Sequence, residues 1–80
     1  TPDSHFIRIL LVKLFSDRQL RVNKEVIEYI TARIQRSFVY ISALVDYIDK
    51  ISLEKKREIT IPFVKDIIYD LQLELDELHE

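Results

Sequence analysis

Apolar residues recur at helical spacing in four separate stretches of the chain, and each stretch is bounded by polar or chain-stopping residues. The first opens at Pro2-Asp3-Ser4, with Ser4 as a small polar cap candidate and Asp3 as acid in the first turn. Phe6, Ile7, Leu10, Leu11, Leu14 and Phe15 then mark one wide stripe that ends near Ser16-Asp17-Arg18. "QLRV" reads as a short extended link, and Asn23 as the cap of a second helix that buries Val26, Ile27, Ile30 and Ile34. The phase of the pattern shifts between Ile34 and Phe38, so the chain is expected to break at 35–37 and restart with Ser37 as cap. Without that break a helix over 24–53 would be about 45 Å long, too long for so small a globule unless it bends. Phe38, Ile41, Leu44, Val45, Ile48 and Ile51 form the third stripe. "EKKRE" (54–58) reads as a charged, solvated connection, and Ile59 and Thr60 as extended. Pro62 suits the first turn of a fourth helix, where its missing N–H costs nothing, and Val64, Ile67, Ile68, Leu71, Leu75 and Leu78 complete the set. The pattern predicts an all-α fold: a single domain over 1–80, a compact bundle of four short helices at 3–17, 24–35, 37–53 and 62–78.

Composition narrows the chemistry. With 80 residues and 48% hydrophobic content, the chain carries enough apolar side chains for one small core. A charged fraction of 32% with a net charge of −2 lacks the basic excess of a dedicated nucleic-acid binder. The longest apolar run, Ile9-Leu10-Leu11-Val12, is far too short to cross a bilayer. No signal-peptide pattern precedes it, so a cytoplasmic location is expected, with no membrane partner. Cysteine is absent, which removes disulfides and thiolate metal sites. Glycine is absent too, where about five or six would be usual. A Walker A or dinucleotide loop is therefore impossible within these residues. With no methionine either, the sequence reads as an excised piece of a larger protein.

Candidate chemistry is sparse. His5 and His79 stand at opposite ends of the chain without metal-ligand spacing, so no metal is expected. Ser4, Ser37 and Thr60 are better explained as helix caps than as nucleophiles, and no catalytic residue is assigned. Arg18, Arg21, Arg33 and Arg36 read first as solvated helix ends and surface pairs. Arg33 and Arg36 also precede the third helix, whose N-terminus offers free N–H groups and a positive dipole end to a phosphate. Six acidic residues and no lysine or arginine follow Lys65, which argues against strong nucleic-acid binding by that end.

The stretch "VIEYITARIQRSFVYISALVDYIDKISLEKKREITIPFVKDII" (26–68), with "LLVKLFSDRQL" before it, resembles the C-terminal lid of DnaA-like AAA+ ATPases, closest to Hda-type proteins and their alphaproteobacterial relatives. The resemblance implies an AAA+ lid that covers nucleotide held by a P-loop domain of the same parent chain, with ATP or ADP as the parent's cofactor. It implies a parent that regulates initiation of chromosomal DNA replication, with DnaA and the sliding clamp as partners. That parent would be an ATPase or an ATPase-stimulating regulator, whereas this chain alone is no enzyme. In typical members an arginine at the sensor 2 position of the lid reaches the nucleotide phosphates. The matching position here is Val39, which carries no charge, and Arg36, three residues earlier, is the nearest substitute. The rival readings are a stand-alone helical interaction module, histone-fold-like or an adaptor, that dimerises through its third helix, and, third, a DNA-binding domain. The third helix offers the latter only one lysine, near its end.

Overall fold

The computed structural model describes residues 2–34 and 37–78, with side chains described for 4–34 and 37–72. Four helices account for almost all of it: α1 (Pro2–Asp17), α2 (Lys24–Arg33), α3 (Phe38–Lys55) and α4 (Ile61–Leu78). They pack as a square in which α1 touches α2 and α3, and α4 touches α2 and α3. The consecutive helices α2 and α3 therefore lie on a diagonal.

The core is one cluster. Ile7, Leu11 and Phe15 enter it from α1, Val26, Ile27 and Ile30 from α2, Tyr40, Ile41, Leu44, Val45 and Ile48 from α3, and Phe63, Val64, Ile67 and Leu71 from α4. Ile59, in the link before α4, closes one end. Two expected members are outside it. Phe6 is 65% exposed, because it sits at the edge of the α1 stripe whose centre runs through Ile7, Leu11 and Phe15. Phe38 is 64% exposed because it opens α3, ahead of the first residues that reach the interior. Tyr40 takes the inward position instead, and burial raises the pKa of its hydroxyl. Leu75 and Leu78 lie outside the residues whose side chains are described.

Helix ends differ in detail from the expected bounds. Ser4 falls inside α1, since Pro2 already takes a first-turn position that a proline fits without loss. Ile34 (φ −91°, ψ 159°) and Ser37 (φ −128°, ψ 128°) are both extended, so the chain leaves helical geometry on both sides of the break; Gln35 and Arg36 between them lie outside the described residues. The Ser37 hydroxyl accepts the Tyr40 N–H at 3.3 Å, a side-chain cap. At Thr60, Oγ1 accepts the Phe63 N–H at 3.4 Å and caps α4 in the same way. α3 runs on to Lys55, because Glu54 and Lys55 are good helix formers and nothing stops the helix before Lys56.

Both α1 and α3 end on a left-handed residue that is not glycine. Gln19 has φ 58° and Lys56 has φ 52°. After Gln19, the Leu20 N–H reaches back to the Phe15 carbonyl at 2.9 Å and the Gln19 N–H to Ser16 at 2.9 Å. After Lys56, the Arg57 N–H reaches the Ser52 carbonyl at 3.2 Å. These are Schellman-type closures, a geometry usually given to glycine because a Cβ costs about 1–2 kcal/mol there. Glycine loses more backbone entropy on folding, which offsets about 0.5–1 kcal/mol of that. Lys56→Gly is therefore expected to stabilise the domain by about 0.5–1 kcal/mol and raise its thermal midpoint by a few degrees. Differential scanning calorimetry checks this, and a lowered midpoint contradicts it.

Ion pairs tie the helices at the surface. Arg8 of α1 donates to both carboxylate oxygens of Glu28 on α2, and this bond is the main reason the Glu28 pKa is lowered. Arg18, just past α1, pairs with Asp46 at 2.6 Å and Asp49 at 3.3 Å, both on α3. These are solvated pairs that add little each, but they fix the register of α1 against its two neighbours.

Candidate nucleotide-facing junction

The α2–α3 junction carries the residues that the sequence singles out. Arg33 is the last residue of α2, where its charge complements the negative end of the helix dipole. Its guanidinium lies 3.9 Å from the centroid of the Tyr29 ring, one turn back. That cation–π contact holds the side chain along the surface of α2. Arg36 lies outside the described residues. On the far side of the break, Ser37 caps α3, and Phe38 and Val39 stand out from its first turn at 64% and 78% exposed. Val39 contributes nothing to the core.

A second exposed apolar strip runs along the reverse of α1. Phe6, Ile9 and Val12 are 65%, 54% and 50% exposed, and at about 100° per residue they share one face opposite Ile7, Leu11 and Phe15. The i, i+3, i+6 spacing is present in the sequence, but the wide inward stripe of α1 masks it. α1 is thus apolar on two sides, which a helix bounded on one side by water does not need.

The family model for "Hda, lid domain" matches residues 6–68. The chain belongs to the Hda lid domain family. The matched range takes in α1 from Phe6 onward, α2, α3, all three links, and α4 as far as Ile68. No curated protein and no solved structure matches the chain. Membership implies a parent AAA+ protein. In this Hda-type lid the junction holds one described arginine already engaged by Tyr29, and an uncharged Val39 at the helix start. Among the described residues no helix is long and apolar enough to cross a membrane.

Proposed function

We propose that this domain is the lid of an Hda-type regulator of chromosomal replication initiation. The parent would hold ATP or ADP in a P-loop domain, and the α2–α3 junction would close over that nucleotide. The family match over residues 6–68 carries the reading. Two features of the surface support it. The exposed start of α3 at Phe38 and Val39 supplies a face for the ligand side, and the Phe6-Ile9-Val12 strip supplies one for packing against the P-loop domain. DnaA and the sliding clamp are the partners proposed for the parent, and its location is proposed as cytoplasmic.

In this reading the phosphate contact falls to Arg36, with Arg33 as a lesser contributor, because Val39 cannot supply a cation. Arg33 would have to give up its place over Tyr29 to reach a phosphate, which costs about 0.5–1 kcal/mol at an exposed site. Arg36→Ala in the full-length parent is expected to weaken ADP binding about tenfold or more, the loss of one charged hydrogen bond. The parent should also stimulate hydrolysis of DnaA-bound ATP in the presence of clamp-loaded DNA, and the variant should do so less. Unchanged ADP affinity would remove Arg36 from the site. A parent that leaves DnaA-bound ATP untouched would end the replication reading itself.

The dimerising-module reading fares worse on the packing of α3. Its Tyr40, Ile41, Leu44, Val45 and Ile48 are spent on the domain's own core, and its outward positions include Ala43, Asp46 and Lys50. Val39 and Leu53 are exposed on that face too, but Asp46 and Lys50 interrupt them, so no continuous apolar seam runs along it.

A further inference from the structure

The end of the bundle away from the α2–α3 junction holds a cleft of about 500 Å³. The α1–α2 link and the α3–α4 link meet there, and α2, of 10 residues, separates it from the junction by about 15 Å. Arg21 from the first link and Arg57 from the second both line it, together with Asn23, Ser52, Glu58 and Thr60. Neither arginine has a carboxylate within ion-pair distance among the described residues, although Arg8 and Arg18 both do. Arg57 lies 5.4 Å over the Phe63 ring, which orients its guanidinium without neutralising it. Glu58 lines the same cleft, yet it pairs with neither arginine.

Asn23, an exposed residue, lines the same cleft. It occupies the N-cap position of α2, where an asparagine side chain ordinarily accepts a backbone N–H. Here the side chain makes no such bond, and it lines the cleft instead. The amides of Lys24 and Glu25 consequently lack an intrahelical acceptor. Thr60, which caps α4, lines the cleft as well, so two helices begin at its wall. Two guanidinium groups without a carboxylate partner among the described residues, the Asn23 side chain and the starts of two helices line one opening at exposed positions, and the only acid among its lining residues is Glu58.

The geometry points to a binding site for a phosphate group, free or carried on a small organic molecule. A tetrahedral dianion presents enough acceptors to take both arginine forks and the Asn23 amide together, which a single carboxylate does not. The cleft also has room for an organic body beside the phosphate. The site owes nothing to the nucleotide reading, since it lies at the opposite end of α2 and none of its residues belongs to the α2–α3 junction.

The test is a titration of the ¹⁵N-labelled 80-residue chain with inorganic phosphate, then with ribose 5-phosphate, against sodium chloride at matched ionic strength. Saturable amide shifts confined to Lys24, Glu25, Arg57 and Ile61 are expected with both phosphates and not with chloride. Tighter binding of the sugar phosphate would identify an organic phosphate as the ligand; equal binding would identify the free ion. Arg21→Gln, at an exposed position with no partner to lose, should weaken binding about tenfold. Glu58→Gln should strengthen it a few-fold by removing the opposing charge. Chloride reproducing the shifts, or both variants binding phosphate like the parent sequence, would overturn the site.

Discussion

Phe15→Ala is expected to leave the domain largely unfolded or close to it, while Phe6→Ala leaves its stability almost unchanged. Phe15 is 2% exposed and joins the core formed by all four helices. Truncating a buried phenylalanine costs about 3–5 kcal/mol, from lost transfer energy and the cavity left behind. A domain of this size has about 4–12 kcal/mol of stability in total, so the loss takes a large share of it. The site is also poorly placed to collapse. The Phe15 carbonyl accepts both the Arg18 and Leu20 N–H groups, which pin the end of α1 in its turn. Phe6, at 65% exposed, has no comparable burial to lose, and its truncation should stay within about 0.5 kcal/mol. Urea denaturation followed by circular dichroism measures both. Equal losses at the two positions would mean that α1 is buried on a different face.

That pair of residues marks what the sequence could and could not say. Helical spacing was enough to find α1 to α4 and nearly all of the inward positions, because a bundle core leaves a 3.6-residue imprint on every helix that lines it. Phe6 and Phe38 were assigned to that core because periodicity finds a stripe but not its edges, and both stand at helix beginnings where the stripe meets solvent. The caps were legible at Ser37 and Thr60, where the side chain does bond the backbone. Asn23 had the right type and place for a cap, yet its side chain makes no cap bond. The stop of α1 at Asp17 stands where the pattern put it, while α3 runs past the expected 53 to Lys55. Left-handed closures are normally announced by glycine, and here glutamine and lysine adopt them. Arg21 and Arg57 are 36 positions apart in the numbering, and only the packing of α1 and α4 against common neighbours brings their links to one opening. Arg36 lies outside the described residues, and the hold of Tyr29 on Arg33 depends on a rotamer that sequence does not specify.

Placing an arginine at Val39 is expected to tighten ADP binding by the parent protein about 10- to 100-fold. Val39 lies in the first turn of α3 and is 78% exposed, so the substitution removes no core packing. In the lid reading proposed above, an arginine at this position would reach the nucleotide phosphates. A charged hydrogen bond to a phosphate is worth about 1.5–3 kcal/mol, and each 1.4 kcal/mol is tenfold in affinity. The opposing term is smaller. A cation in the first turn of a helix faces the positive end of the dipole and costs about 0.3–1 kcal/mol in the unliganded lid. That cost destabilises the free state slightly and disappears once a phosphate sits there, so it sharpens rather than cancels the gain. Val39→Gln supplies the control, with similar length and no charge, and should recover little of the effect. Isothermal titration with ADP distinguishes the two variants from the native parent, alongside a thermal melt to show that each is folded. If Val39→Arg folds normally and binds ADP like the native protein, the start of α3 does not face the phosphates, and the exposed Phe38-Val39 step must serve a protein surface instead.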